Sequence, residues 1–384
     1  MIFSRFKWDK DHVLELSKPI HAYIYYRHQR MNLLTGFPEA YGIDQFIKQL
    51  DEISLQDKVK HPKVYHFYYE FGMYQQGTRV PAEDTPLAIE IEYRQSKKFI
   101  PKTPHLKELG LKTLERPSWS EYKIAFEKIQ EQLLDGNCYQ VNLTYPYDFE
   151  TEEVLDPRDI ADFFFAQKVS PFAHATYFGE EMFLSNSPEC LFQFKKNVLS
   201  TMPIKGTMKR GKDWKKMWKE MMKSPKEESE LLMITDLVKN DLNSLQNPVA
   251  KVLKLREPLI VPGLLHQYSL IAVKLTQKLS LKQTMHSLFP GGSITGAPKI
   301  RVMDIIDDVE RYQRGIYCGS TVLFYKEQRV ASINIRTASI NVSERVWRYG
   351  AGGGVTLLSK AVDEFKEMES KVESFLRLLK IRGY

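Results

Sequence analysis

Apolar positions recur at helical spacing through the last two-thirds of the chain and cluster in short aromatic bursts before it. Tyr122, Ala125, Phe126, Ile129 and Leu133 share one face of a helix that opens at Ser118. Glu121, three residues on, completes a capping box, and Asp135-Gly136 ends the helix. The strand Cys138 to Thr144 follows, then an apolar helix near 159–168, a strand over Ala175 to Phe178, and Met182 to Ser185. Ser224-Pro225-Lys226-Glu227 announces a second strong helix, with an N-cap, a proline at its first position and a box-closing glutamate. It carries Leu231, Leu232, Ile234, Leu237 and Val238 to Asp241-Leu242. A third helix starts at Gly296-Ala297-Pro298-Lys299 and turns Val302, Ile305, Ile306 and Val309 inward; the last spans about Val362 to Ile381. Strands fill the gaps at Ser320 to Tyr325, Val330 to Arg336 and Trp347 to Gly350.

Residues 1 to about 115 read as short strands and loops, with aromatic runs at Tyr23 to Tyr26 and Val64 to Tyr69 and the apolar stretch Leu87 to Ile91. Residues 101–118 read as a polar connection. Short strands interspersed with helices predict an α+β fold and not a regular βαβ sheet. The division expected is an amino-terminal β-rich region, 1–115, within the same compact fold as a catalytic region, 116–384.

The 384 residues, 43% hydrophobic and 27% charged, have an ordinary globular balance, which argues against disorder. The net charge of +7 draws heavily on Lys209 to Lys219, where two tryptophans interrupt the lysines. Nucleic-acid binding is one reading of that stretch. A solvated helix face over a buried stripe of Trp214, Met217, Trp218 and Met221 is preferred, because no nucleic-acid module accompanies it. A third reading is a positive field that collects a small dianion. Cys138, Cys190 and Cys318 are scattered, so neither a zinc site nor a disulfide framework is expected, and the compartment expected is the cytoplasm. The amino terminus lacks a signal-peptide core and no apolar run spans a bilayer, so no membrane association is expected.

Candidate chemistry centres on Lys205, in Met-Pro-Ile-Lys-Gly-Thr-Met. As a solvated turn lysine it would be neutral only about four times in ten thousand at pH 7. As a nucleophile it would need burial or a neighbouring cation to release its proton. Glu227 and Glu230 share a helix face, and Glu364 and Glu367 repeat the spacing on the last helix. Two such faces suit magnesium, although each pair alone reads as ordinary helix capping. The glycine-rich segment Phe289 to Lys299 suits an anion but is not a P-loop, and Gly350 to Gly354 is not a dinucleotide fingerprint. Arg336 ends a strand and suits a carboxylate.

In this order, Cys138 to Thr144, Ser187-Pro188-Glu189, Pro203 to Thr207, Glu227 to Leu242, Phe289 to Ile306, Tyr317-Cys318-Gly319, Ile335-Arg336-Thr337, Gly350 to Gly354 and Glu364 to Lys371 resemble the chorismate-utilising enzymes. The resemblance covers roughly residues 118–375. It implies two large, orthogonally packed antiparallel β-sheets flanked by helices. Isochorismate and salicylate synthases carry a water-activating lysine where Gln140 stands; the glutamine resembles the members that add ammonia. Anthranilate synthases read Pro-Ile-Ala-Gly-Thr where this chain has Lys205, which matches the aminodeoxychorismate synthases.

The resemblance further implies Lys205 as nucleophile, Glu189 as general acid, and a magnesium cluster of Glu227, Glu230, Glu364 and Glu367, with Glu230 and Glu367 the direct ligands. Gln140, Thr207, His266, Thr295, Tyr317, Arg336, Gly352, Gly353 and Lys371 would bind chorismate. No glutaminase-type cysteine motif occurs, so ammonia would come from a separate glutamine amidotransferase subunit. The rivals are anthranilate synthesis and a non-catalytic nucleic-acid-binding protein. The chain departs from the family at Lys239-Asn240-Asp241-Leu242-Asn243-Ser244, where the relatives read Arg-Asn-Asp-Leu-Gly-Arg.

Overall fold

The computed structural model describes residues 1–101, 103–106, 108–209, 213–245, 249–261 and 264–379. Its strands are β1 (Ile2–Lys7), β2 (Val13–Tyr25), β3 (Arg30–Asn32), β4 (Pro38–Glu39), β5 (Lys63–Phe67), β6 (Ala88–Phe99), β7 (Leu111–Glu115), β8 (Gln140–Thr151), β9 (His174–Phe178) and β10 (Glu181–Ser185). They continue as β11 (Cys190–Lys195), β12 (Val198–Met202), β13 (Ile204–Lys209), β14 (Lys251–Val261), β15 (Leu264–Lys274), β16 (Gly296–Ala297), β17 (Ser320–Tyr325), β18 (Gln328–Ile333), β19 (Thr337–Asn341) and β20 (Val346–Val355). The helices are α1 (Ile43–Glu52), α2 (Tyr69–Gln76), α3 (Trp119–Leu134), α4 (Pro157–Phe165), α5 (Trp214–Met222), α6 (Pro225–Asn243), α7 (Leu281–Leu288), α8 (Lys299–Val309) and α9 (Ala361–Leu378).

Every pairing between these strands is antiparallel, and the fold is α+β. One half of the ladder runs β7, β8, β20, β19, β10, β9, β1, β2. The other runs β6, β5, β17, β18, β11, then β12 and β13 against β15, with β14 at the edge. The long strands β2 and β6 join the halves, and their register shifts between Pro19 and His21. β1 pairs with β9 and β5 with β17, so the amino-terminal strands are built into the ladder of the later region. A large core draws on both halves, from Phe3 and Tyr65 to Phe192, Ile271 and Trp347.

Helix α3 begins at the Ser118–Glu121 capping box and buries Tyr122, Ala125, Phe126, Ile129 and Leu133, the face its spacing predicts. Ser224 caps α6 by accepting from Glu227 N. The amino-terminal third departs from the expectation of strands and loops. It holds α1, which buries Ile43, Phe46 and Leu50, and α2, which buries Tyr69 to Met73. The expected polar connection at 101–118 contains β7, paired with β8. In α5 only Met221 is fully buried; Trp214, Met217 and Trp218 are half-buried, because the helix rides on the surface. Arg210, Gly211 and Lys212 of the basic stretch lie outside the described residues. No described helix is long and apolar enough to cross a membrane.

One buried ion pair fastens the parts that carry the site. Arg314 and Glu310 meet twice, Nε to Oε2 at 2.8 Å and Nη2 to Oε1 at 2.7 Å, with side chains 1% and 3% exposed. Arg314 also donates to Ile294 O at 2.8 Å and Asn142 O at 2.7 Å, while Glu310 accepts from Thr144 N at 2.9 Å. The pair therefore clamps the end of α8, the glycine-rich turn and β8 together. Removing one partner strands the other charge in the interior. Glu310→Gln should lower the unfolding free energy by about 3–5 kcal/mol in a guanidinium titration; a loss below about 1 kcal/mol would show the clamp to be dispensable.

Candidate functional site

Five segments converge on one cavity: the β11 approach with Glu189, the β13 bulge with Lys205, the amino-terminal halves of α6 and α9, and the glycine run of β20. Lys205 was expected in a turn. It sits instead in β13, opposite Gln267 on β15, and the register breaks between Lys205 and Thr207. Gly206 makes that break with φ +69°, and a Cβ there would stand 2.3 Å from Glu227 Oε2. Only glycine suits both demands. His266, opposite Thr207 in the register, lines the cavity; the side chain of Thr207 lies outside those described.

Gly350 to Gly354 is not a turn. It is part of β20, extended along β8. Its missing side chains leave room for functional groups to approach the backbone closely. A Cβ on Gly354 would stand 2.6 Å from Gln140 Nε2 and 3.4 Å from Lys205 Nζ. Gln140 is fully buried with both amide atoms unpaired, and its amide and the Lys205 amine approach the space that a Gly354 side chain would fill.

Glu189 is 3% exposed and its Oε1 lacks a hydrogen-bond partner. Burial raises its pKa above the usual carboxylate range, with Ser293 and the cations Lys205 and Arg336 pulling the other way. A carboxyl that holds its proton more tightly than usual is suited to act as an acid. His266 is buried and held on both sides: Nδ1 lies 3.1 Å from Gly206 O, and Nε2 lies 3.1 Å from Arg336 Nη2. Nδ1 therefore donates and Nε2 accepts, which fixes one neutral tautomer. Burial first, then the Arg336 charge, depresses its pKa to about 3. The ring in turn holds Arg336, which does not end a strand as expected but sits at φ +52° in the bend between β18 and β19 and lines the cavity. Lys371 donates to Gly352 O at 2.8 Å and pairs with Glu367 at 3.0 Å.

Glu227, Glu230, Glu364 and Glu367 all line this cavity, from two helices, and Ser359 donates to Glu364 Oε1 at 2.8 Å. The donors are oxygen throughout, the chemistry a hard divalent cation takes. As the side chains stand, no three metal-binding groups among the described residues converge into a cage. Magnesium needs only one or two carboxylates and keeps its waters, so the set fits it without a cage. Tyr317, Arg336, Gly352, Gly353 and Lys371 join the same lining. Thr295 does not: it is fully buried and its hydroxyl donates to Gly291 O, bracing the glycine-rich turn. Gln140 is not in the lining itself, but its amide stands beside Gly354, which is. Asn142, Ser293, Ile335 and Tyr349 line the cavity without having been singled out in the sequence. Period-two alternation along β8 would have found Asn142, two residues after Gln140.

Residues 43–377 match the family model described as chorismate binding enzyme. Aminodeoxychorismate synthase component 1 of Klebsiella aerogenes is 33% identical over 275 residues, 68% of this chain and 58% of that protein. The same-named protein of Escherichia coli is 34% identical, over 67% of this chain and 57% of its own length. Anthranilate synthase component 1 of Saccharolobus solfataricus is 31% identical, over 68% of this chain and 63% of that protein. The match thus spans less than two-thirds of these curated relatives. Among solved structures, anthranilate synthase component I of Streptococcus pneumoniae superposes with a TM-score of 0.80 at 18% identity, covering 96% of this chain and 93% of that one. The menaquinone-specific isochorismate synthase of Escherichia coli gives 0.71 at 17% identity, covering 99% and 88%. At these identities the superpositions show a shared fold.

The His266 environment yields a direct check. Its imidazole should stay neutral from pH 8 down to about pH 4, so its NMR ring signals should not titrate in that range. Arg336→Ala removes a cation and should raise that pKa. A wild-type His266 midpoint near 6.5, the unperturbed value, would show that the ring is solvated and not clamped.

Proposed function

The chain belongs to the chorismate binding enzymes, and from that membership we propose that it converts chorismate and ammonia to 4-amino-4-deoxychorismate, on the route to 4-aminobenzoate and folate. One observation carries the reading: a lysine amine, Lys205, lines the cavity at the position where the aminodeoxychorismate synthases carry lysine and the anthranilate synthases alanine, in the same cavity as the buried acid Glu189. The neutral amine of Lys205 attacks C2 of the ring. Glu189 gives its proton to the departing C4 hydroxyl, which leaves as water. Ammonia then adds at C4 through its lone pair, the ring double bonds shift back, and Lys205 departs from C2. The enolpyruvyl group stays in place.

Arg336, oriented by neutral His266, and Lys371, on Gly352 O, supply cations for the two carboxylates of chorismate. Glu230 and Glu367 would hold magnesium, with Glu227 and Glu364 beside them; the ion would offset the charge of the ring carboxylate. Gln140, buried and unpaired, replaces the water-activating lysine of the isochorismate synthases and suits an incoming amine. The relatives named component 1 support a separate glutamine amidotransferase subunit as the ammonia source. Three buried free cysteines fit a reducing cytoplasm. A second reading, anthranilate synthesis, has its support in the 31% identical relative. Lys205 weighs against it.

The test is product mass after incubation with chorismate, magnesium and ammonium at pH 8. Aminodeoxychorismate is expected; fluorescent anthranilate would overturn the assignment in favour of the second reading. Lys205→Ala should keep the fold, since Lys205 is not a core residue, and lose at least a hundredfold in turnover. Near-normal turnover in that variant would remove the covalent role.

Glu230→Gln and Glu367→Gln should each raise the magnesium needed for half-maximal rate about tenfold or more, one lost carboxylate each. Wild-type turnover should vanish in EDTA. Full activity in metal-free buffer would return the glutamates to helix capping.

A further inference from the structure

A second cavity lies behind the Tyr317–Gly350 wall, and both residues line it as well as the first. It holds about 390 Å³, room for a ligand of several heavy atoms. Aromatic rings form much of its surface, among them Tyr26, Tyr68, Phe178, Phe183 and Tyr312. Two carboxylates face it: Glu70, in the first turn of α2, and Glu181, at the start of β10.

Glu70 is 5% exposed. Its Oε1 accepts from Gly315 N at 3.1 Å, but its buried Oε2 has no partner. A buried carboxylate oxygen without a donor is costly, so the site lacks a hydrogen-bond donor that a ligand would bring. The two arginines of the cavity are already neutralised, Arg314 by Glu310 and Arg348 by Asp148, each at 2.7 Å. The unbalanced charge is therefore acidic, and ring faces add negative potential. An anion would meet two carboxylates.

We propose that this cavity binds an ammonium group, either free ammonium or the head of a small primary amine, with Glu70 Oε2 and Glu181 accepting its N–H bonds and the aromatic rings enclosing it. The inference stands apart from the reaction proposed above, since the two carboxylates it uses have no role in that reaction and it is tested without chorismate. Binding gains with pH. Burial lifts Glu70 to about 7, and burial with Glu344 and Glu180 nearby lifts Glu181 to about 7. Both protonate below that pH and lose their pull on a cation. Tyr68 and Tyr312 are raised by burial and stay neutral, and the arginine pairs stay ionised.

Calorimetric titration of the whole chain at pH 8 and constant ionic strength tests this, with ammonium chloride, benzylammonium chloride, potassium chloride and neutral benzyl alcohol. Saturable binding of at least one ammonium compound is expected. It should weaken at least tenfold at pH 6 and at least tenfold in Glu70→Gln and in Glu181→Gln, while Glu230→Gln, at the other cavity, leaves it unchanged. Tighter ammonium identifies the free ion as occupant; tighter benzylammonium identifies an amine head. Should Glu70→Gln fail to fold, Glu181→Gln at the less buried position decides alone. No saturable binding of either cation, equal binding of benzyl alcohol, or folded glutamine variants within twofold of wild type would overturn the proposal.

Discussion

The Arg314–Glu310 pair is the constraint on which the site's geometry depends. A guanidinium and a carboxylate out of water are stable together only when nearly all their donors and acceptors are met. Here they are met by the parts that must be held: Ile294 O of the glycine-rich turn, Asn142 O and Thr144 N of β8. Position along β8 then propagates. Val141 to Glu150 pair with Val355 to Val346, so the clamp sets where the glycine run of β20 lies. Lys299 extends the same logic to α6 by donating to Asp241 Oδ2 at 2.8 Å and Ser287 O at 2.9 Å.

With the backbone fixed, the missing side chains of β20 decide what can approach it. The Tyr317 ring packs against Gly350, Glu364 and Lys371 reach toward Gly353, and Lys205 and Gln140 reach toward Gly354. Charged groups and an unpaired amide can therefore lie against the bare backbone of this strand. Its other support is apolar: Tyr349 stacks on Phe375 of α9, with ring centroids 4.2 Å apart, which seats the helix carrying Glu364 and Glu367.

Legibility from sequence followed how local each determinant is. Helices α3 and α6 were readable because caps and a one-sided apolar stripe are local features. Helix α2 was hidden: Tyr69 to Met73 are all buried, so no polar side marks the period, and the aromatic run before it reads as strand. Helix α1 carried a usable signal, Ile43, Phe46 and Leu50, without a side-chain cap to announce it. Lys205, Glu189 and the two glutamate pairs were legible through motif order, and the cavity brings them together. The clamp was not. Glu310 and Arg314 are four residues apart and resemble any surface ion pair until the tertiary fold buries them. Thr295 shows the converse, since a motif position adjoining a site can serve the turn that frames it.

Unpaired buried polar groups need not mean disorder or error when they face a cavity. Glu189 Oε1 lies at the first cavity, both ends of the Gln140 amide lie beside it at Gly354, and Glu70 lines the second with Oε2 unpaired. Each such atom forgoes a hydrogen bond worth about 1–3 kcal/mol when left unmet in the interior. The fold sustains that cost because the surrounding lattice is heavily satisfied: continuous antiparallel ladders, capped helices and one fully bonded ion pair. A rigid, satisfied frame holds unsatisfied groups in place until a ligand completes them, which is what preorganisation requires.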